Sequence, residues 1–227
     1  MPAESAPPAH RPLAVVFDLD GLMFNTEELY QDVGSELLRR RDREFTKELL
    51  DQMMGRPGRI SLQIMIDWHS LEATVDELER ETDEIFVDIL ATRLAPMPGL
   101  LALLNALEQA NVPKAIATSS RRAFVETVLG RFDLEPRFRF ILSAEDVIDG
   151  KPHPEIYLKA AARFGVPPDR VVVLEDSQNG CAAAVAAGTI TVAVPGGHSL
   201  SHNFDGARLS IDSLADPRLY ELIGLPR

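Results

Sequence analysis

The sequence has very little cysteine and no long apolar run. Cys181 is the single cysteine of the 227 residues, so an internal disulfide is excluded and we expect a cytoplasmic protein. No apolar run approaches the roughly 18 residues that a membrane-spanning helix needs, so we expect no membrane partner. Residues 1–12 have the Pro/Ala/Ser composition of a flexible tail rather than of a secretory signal.

Positive charge is also scarce. Lysine and arginine number 23 against 35 aspartates and glutamates, which gives a formal net charge of −12. A nucleic-acid partner needs a clustered basic face, so we expect none. An anionic small substrate is compatible with this charge only where local positive groups receive it.

Short apolar runs alternate with helical patterns along most of the chain. The five runs are 13–19, 114–118, 138–142, 171–175 and 190–194, and most of them lack strict alternation, which is typical of strands covered on both faces. Helical patterns lie at 98–110, 121–130, 154–164 and 178–187. Strands that alternate with helices predict an α/β fold with a doubly wound, Rossmann-like parallel sheet.

One interval between strands is far longer than a crossover requires. Between Asp20 and Lys114 lie 93 residues, whereas a parallel crossover needs only about a dozen or somewhat more. The surplus has helical patterns at 28–41, 46–54, 60–68 and 75–94, with a turn at 55–58. We therefore expect an all-helical cap at 27–95, inserted into an α/β core formed by 13–26 and 96–227.

Polar side chains follow four of the predicted strands at the point where each strand ends. They are Asp18 and Asp20 after the first strand, Thr118, Ser119 and Ser120 after the second, Lys151 beyond the third, and Glu175 with Asp176 after the fourth. Ligands of open parallel sheets bind beyond the carboxyl ends of the strands. We therefore expect these side chains to form one site.

The residue types indicate phosphoryl chemistry with a divalent cation. Asp18, Asp20 and Asp176 fit an oxygen-ligated Mg²⁺ site, because Mg²⁺ takes a few carboxylates and keeps some water. A lysine and a hydroxyl beside that ion, here Lys151 and Thr118, fit a phosphoryl group. No serine, cysteine or histidine is as well placed to attack as Asp18, and a carboxylate nucleophile forms an aspartyl-phosphate.

The four motifs that carry these residues resemble those of the haloacid dehalogenase (HAD) superfamily. The motifs are FDLDG at 17–21, ATSS at 117–120, GKP at 150–152 and LEDS at 174–177, and they occur in the order of that family. The resemblance covers about residues 13–195. It is closest to the branch that holds β-phosphoglucomutase and small sugar-phosphate phosphatases, whose helical cap lies between the first and second motifs.

The resemblance implies a strand order of 3-2-1-4-5 and a role for each acidic residue. Asp18 would be the nucleophile and a Mg²⁺ ligand. Asp20 would be the general acid/base, with its main-chain carbonyl also on the metal. Asp176 would complete the metal site, and Glu175 would stand beside it.

The resemblance also implies how the phosphate is held. Thr118 and the Ser119 backbone would bind the phosphoryl group, while Lys151 would neutralise it and orient the nucleophile. We also expect the stretch from Thr118 to Ser120 to cap the helix that follows it. In the cap, Arg56 and Arg59 are candidate substrate contacts, although solvated loop arginines would look the same in sequence.

These residues predict a Mg²⁺-dependent phosphatase of a small phosphorylated metabolite, acting as a monomer or weak dimer. A phosphohexomutase is one alternative, but mutases of this branch carry Thr-x-x-x-His at the start of the cap, and here Tyr30 follows Thr26 at that spacing. A phospho-accepting signalling module is another alternative. Such receiver domains use acids, a hydroxyl, a lysine and Mg²⁺ on a similar sheet, but they accept phosphate at the third strand and lack an inserted cap.

Overall fold

The computed structural model describes residues 12–53 and 58–226, which fall into two compact units. One unit comprises the chain up to Phe24 and from Pro96 onward, and the other is Asn25–Ala95. Most of the predicted N-terminal tail and residues 55–57 of the predicted turn lie outside the described residues. Within those residues, no helix combines the length and the apolar character that crossing a bilayer requires.

The larger unit is built on a six-stranded sheet whose neighbouring strands are all parallel. Its strands are β1 (Ala14–Phe17), β2 (Lys114–Ala117), β3 (Ile141–Leu142), β4 (Val171–Glu175), β5 (Ile190–Ala193) and β6 (Leu209–Ser210). The order β3-β2-β1-β4-β5-β6 confirms the doubly wound fold and the order 3-2-1-4-5. It places β1 between β2 and β4, where the order along the sheet reverses.

Helices cover both faces of this sheet, which explains the continuous apolar runs. Every residue of β1 is buried. The core helices are α5 (Leu100–Gln109), α6 (Arg122–Gly130), α7 (Glu155–Phe164), α8 (Gln178–Ala186) and α9 (Pro217–Ile223). Helix α5 buries four leucines at helical spacing, whereas α7 and α8 bring small alanines against β1 and β4. The small alanines let these two helices approach the sheet closely.

The smaller unit has four helices in the residues that the structure describes. They are α1 (Thr26–Arg39), α2 (Lys47–Met53), α3 (Gly58–His69) and α4 (Val75–Arg93). Apolar side chains from all four form its core, including Leu37, Leu49, Met65 and Leu78. Helix α4 starts with a capping box, in which the hydroxyl of Thr74 accepts from the N–H of Glu77 at 3.3 Å and the Glu77 carboxylate accepts from the N–H of Thr74 at 2.8 Å.

The two edge strands are short, and an arginine lies against each. The regular part of β3 is only Ile141–Leu142, not 138–142, because a 3₁₀ turn occupies Glu135–Arg137 and only single backbone bonds, such as that from the N–H of Arg139 to the Lys114 carbonyl at 2.9 Å, join 138–140 to β2. Arg122 donates to the Ile141 carbonyl at 3.1 Å and pairs with Asp146 at 2.8 Å. At the opposite edge, the guanidinium of Arg218 donates to the carbonyl of Ser210 in β6 at 3.4 Å. Strand β6 was not predicted from the sequence.

Candidate active site

Asp18 leaves β1 at the centre of the carboxyl edge of the sheet. Its N–H donates to the carbonyl of Leu174 in β4 at 3.0 Å, which places Asp18 beside the last residue of that strand, Glu175. On the other side, the N–H of Thr118 donates to the carbonyl of Leu142 in β3 at 3.0 Å. Asp18, Thr118, Glu175 and Asp176 are all buried. The parallel register therefore gathers these polar residues at one edge of the sheet.

Lys151 reaches this group from the loop after β3. Its ammonium donates to Asp18 Oδ1 at 2.5 Å, to Glu175 Oε1 at 2.7 Å and to the main-chain carbonyl of Ala117 at 3.0 Å. Three acceptors match the three N–H donors of an ammonium group. The side chain is only 6% exposed, so solvent screens its pairs with the two carboxylates weakly. These two ion pairs fix the distance between Asp18 of the first motif and Glu175 of the fourth.

Glu175 is fully buried, and donors of the protein contact both of its carboxylate oxygens. Oε1 accepts from Lys151 and from the hydroxyl of Tyr157, the latter at 2.5 Å. Oε2 accepts from the hydroxyl of Ser177 at 3.0 Å and from its N–H at 3.3 Å. This arrangement suits Glu175 to holding Lys151 rather than to binding an ion directly.

Helix α8 starts against the same carboxylate. The hydroxyl of Ser177 accepts from the N–H of Gly180 at 3.1 Å and so caps the helix. A Cβ built on Gly180 would lie 1.8 Å from Oε1 of Glu175 and 2.2 Å from its Oε2. Only glycine fits at this position as long as the Glu175 carboxylate stays where it is.

The carboxylates of this edge fit a divalent cation. Asp18, Glu175 and Asp176 each offer an oxygen within 4.8 Å of the others, and carboxylate oxygens are the ligands that Mg²⁺ prefers. Because the protein's own donors hold Glu175, Asp18 and Asp176 are the better ligands of the three.

The pKa shifts of Asp18 and Lys151 agree with a divalent cation at this edge of the sheet. Burial raises the pKa of Asp18 well above its usual value; Lys151 opposes this shift, whereas Glu175 and Asp20 add to it. Burial lowers the pKa of Lys151, but Asp18 and Glu175 outweigh this and leave it well above its usual value. The lysine is therefore an ammonium, and one ammonium does not offset the crowded carboxylates. A second positive group would let Asp18 ionise.

Asp20 contacts a residue that follows β2. Its Oδ2 accepts from the hydroxyl of Ser120 at 2.5 Å, across 100 positions of sequence. Gly21 follows with a φ of 72°, a conformation that favours glycine, and starts the turn by which the chain leaves the first motif. The hydroxyl of Ser120 is thus one group that fixes the carboxylate of Asp20.

The loop after β2 differs from the expected helix cap. The N-cap residue of α6 is Arg121, which makes no side-chain capping bond, so the prediction that Thr118–Ser120 caps this helix is wrong. Instead, Thr118 Oγ1 accepts from the N–H of Ser120 at 3.0 Å and closes a tight turn within the loop. Ser119 is exposed in this turn, between the two.

The two cap arginines were predicted as candidate substrate contacts. Arg56 lies outside the described residues. The guanidinium of Arg59 pairs with Asp76 at 2.6 Å and also with Glu79, and all three side chains are exposed. Substrate contact by either arginine stays a prediction.

A second group of possible ligand atoms lies farther along the chain, where Asp149, His153 and Glu155 fall within 4.8 Å of one another. Glu155 accepts there from the N–H groups of Ile148 and Asp149 and from Lys159, so its carboxylate is already occupied. These three side chains are better explained as stabilising their loop than as binding a metal ion.

Several contacts of the site were not predicted from the sequence. Tyr157, Ser177 and Gly180 surround Glu175, and Ser120 holds Asp20. One signal was available for Tyr157, which shares a helical face with Ala160 and Ala161. A tyrosine on a buried face needs a partner for its hydroxyl. Which partner it finds depends on how α7 packs on the sheet.

Comparison with known proteins gives a match over most of the chain. Residues 15–194 match the family described as haloacid dehalogenase-like hydrolase. A protein of Thermotoga maritima named phosphorylated carbohydrates phosphatase is 32% identical over 175 residues, which are 77% of this chain and 81% of that protein. A Drosophila melanogaster protein named "Probable pseudouridine-5'-phosphatase" is 35% identical over 217 residues, or 93% of each chain.

One solved structure is similar to this chain along almost the whole length of both. It is a HAD family hydrolase from Deinococcus radiodurans, crystallised with bound phosphate and sodium. It superposes with a TM-score of 0.78 at 28% sequence identity and covers 96% of this chain and 99% of its own.

Proposed function

The chain is a phosphatase that belongs to the haloacid dehalogenase-like hydrolases, and on that premise we propose that it removes phosphate from a small phosphorylated metabolite through an aspartyl-phosphate on Asp18, with Mg²⁺ as cofactor. One observation carries the proposal. The buried ammonium of Lys151 joins the carboxylate that follows β1 to the carboxylate that ends β4. This linkage supports the proposal, because it puts a carboxylate and a positive charge at the switch point of the sheet, where such folds bind ligands.

In the first step, a carboxylate oxygen of Asp18 attacks the phosphorus atom in line with the leaving oxygen. Lys151 orients the attacking carboxylate and offsets charge on the transferring group, while the hydroxyl of Thr118 and the Ser119 backbone bind its oxygens. Asp20, held by Ser120, gives its proton to the leaving alcohol. The bond from phosphorus to the alcohol oxygen breaks as the bond to Asp18 forms.

In the second step, Asp20 takes a proton from water. The water oxygen attacks phosphorus, the bond to Asp18 breaks, and inorganic phosphate leaves with both aspartates restored. Asp18 and Asp176, with the Asp20 carbonyl, would hold Mg²⁺, which neutralises charge on the transferring phosphoryl group when bound. Glu175 keeps Lys151 in place in both steps.

The substrate class is a phosphorylated sugar or a compound that contains one. The two relatives described above support this class, since one is named for phosphorylated carbohydrates and the other for pseudouridine 5'-phosphate, a ribose phosphate. The phosphate bound to the Deinococcus protein supports a phosphoryl site in a chain of this fold.

The experiment that tests this function is a panel of phosphomonoesters assayed for free phosphate in the presence of Mg²⁺. The panel contains hexose 1- and 6-phosphates, pentose 5-phosphates, nucleoside 5'-phosphates and glycerol 3-phosphate. We expect turnover of at least one sugar phosphate, and a rate lower by about 10³-fold or more with Asp18→Asn. No phosphate release from any member would reject the proposal.

The same panel separates the alternatives. A phosphohexomutase would convert a hexose 1-phosphate to its 6-phosphate isomer without releasing phosphate, as ³¹P NMR would show. A signalling module would give a long-lived phosphoprotein and no turnover. Tyr30 stands at the spacing from Thr26 where the mutases carry a histidine, and its ring stacks on Phe86 within the cap, with ring centroids 4.8 Å apart. This observation favours hydrolysis.

A further inference from the structure

Tyr157 is the largest fully buried side chain of the described residues, yet it carries a polar group. It lies on α7, and its hydroxyl donates to Glu175 Oε1 at 2.5 Å. The ammonium of Lys151 lies 5.2 Å from the centre of its ring. The ring therefore borders the pair formed by Lys151 and Glu175, and the hydroxyl completes the set of donors around Glu175.

The hydroxyl is not needed for packing. Tyr157 belongs to the same buried apolar cluster as Ala160, Ala161, Ala183 and Ala184, in which phenylalanine would fill the same space. A buried hydroxyl costs free energy unless it is hydrogen-bonded, and here its bond goes to a residue of the site. The position of that hydrogen bond indicates a role of the hydroxyl in the site rather than in the stability of the core.

The role of the Tyr157 hydroxyl follows from the two donors that share Oε1 of Glu175. That oxygen accepts from Tyr157 at 2.5 Å and from Lys151 at 2.7 Å, while Lys151 also donates to Asp18 at 2.5 Å. A neutral donor on Oε1 withdraws some negative charge from it without bringing a second cation. Without that donor, the carboxylate attracts the ammonium more strongly and draws it away from Asp18.

We infer that Tyr157 is a positioning residue, whose hydroxyl acts through Glu175 to keep the ammonium of Lys151 on the nucleophile Asp18. This inference rests on the proposed phosphatase function. It assigns to Tyr157 an effect on the chemical step, because a displaced ammonium leaves the attacking carboxylate poorly oriented.

The test is Tyr157→Phe, assayed on the best substrate of the phosphomonoester panel. We expect kcat to fall by about tenfold or more, the kinetic equivalent of one charge-assisted hydrogen bond, and KM to change by less than about twofold. Tyr220→Phe, on α9, removes a partly buried hydroxyl elsewhere and should leave both constants unchanged. Urea unfolding of each variant establishes that the assayed protein is folded.

A double-mutant cycle with Glu175→Gln tests the route of the effect. If Tyr157 acts through Glu175, Tyr157→Phe should change kcat by less than about twofold once the carboxylate is already gone. If the wild type is active and Tyr157→Phe has the same kcat, the inference is wrong, whereas the proposed function stands. Equal losses in both backgrounds, or a loss of stability with kcat unchanged, would likewise reject the inference. A wild type without phosphatase activity would overturn the proposed function, and the inference with it.

Discussion

Gly180→Ala should damage the site although it would ordinarily strengthen a helix. Gly180 lies in the first turn of α8, and its added Cβ would lie 1.8 Å from Glu175 Oε1 and 2.0 Å from its Cδ, where real Cβ contacts under 3.0 Å essentially never occur. The carboxylate cannot yield freely, because Lys151, Tyr157 and Ser177 all hold it. Either α8 or Glu175 must move by about 1 Å or more.

The size of the effect follows from these distances. In an unobstructed helix, alanine is more stable than glycine by about 0.5–1 kcal/mol. Overpacking of a well-packed site costs about 1–3 kcal/mol, so we expect a net loss of up to about 2.5 kcal/mol in the free energy of unfolding. A 1 Å displacement of a positioning group can cost about 10²-fold in rate, and we expect a loss of this order in kcat.

Two measurements on the purified variant are needed, kcat for phosphate release and the free energy of unfolding in urea. Gly130→Ala is the matched control, since Gly130 ends α6 and a Cβ there meets nothing within 4 Å. This control should keep wild-type activity with equal or higher stability. Adding Glu175→Asp to Gly180→Ala retracts the carboxylate and should restore part of the stability, but not the activity.

The reasoning would be refuted by a Gly180→Ala protein with wild-type kcat and unchanged or increased stability. A loss of both quantities in Gly130→Ala would also refute it, because the effect would then belong to any glycine replacement in a helix. A lower stability with normal kcat would show that the position of Glu175 does not control the chemistry.

Further predictions concern the nucleophile, the acid/base, the cofactor and acid stability. Asp18→Asn should lower phosphate release by about 10³-fold or more with a cooperative unfolding transition retained, since an amide does not replace the nucleophile; near-normal turnover would contradict this role. Asp20→Asn should slow turnover by about 10²–10⁴-fold, and an unchanged rate would remove the acid/base assignment. EDTA should abolish turnover and added Mg²⁺ should restore it, whereas indifference to both would exclude the cation. Hydrogen bonds from Arg137, and then from Lys114, lower the pKa of Glu108 from 4.5 to about 2. The stability that Glu108 contributes should therefore be complete above pH 4.5 and be lost as the pH falls through about 2, so urea unfolding of Glu108→Gln and wild type should converge over that range.

The central strands could be predicted because both of their faces are covered. The run Val171–Leu174 is apolar throughout, and the structure buries every residue of β4. The edge strand Leu209–Ser210 has one half-buried and one exposed residue, so it leaves no comparable pattern. Its pairing with β5 depends on where the preceding loop returns, which local sequence does not encode.

The strand-end residues of the site could be predicted for a similar reason. Once the sheet is parallel, Asp18, Thr118 and Glu175 must meet at one edge, whatever the details of packing. The contacts of Tyr157 and Gly180 could not be predicted in this way, because they depend on how closely α7 and α8 approach β4. The helix-cap interpretation of Thr118 failed because its hydroxyl has a competing partner two residues away.

The arginines at the ends of the sheet bear on how copies of this chain meet one another. An open sheet can be extended by a strand from another molecule wherever unpaired backbone groups are presented. Here Arg122 already holds the Ile141 carbonyl and Arg218 the Ser210 carbonyl, and each guanidinium is anchored by a carboxylate, Asp146 or Asp216. An intruding strand would have to displace an anchored arginine from that carbonyl before forming a backbone bond there. The sheet thus resists growth into aggregates at either margin.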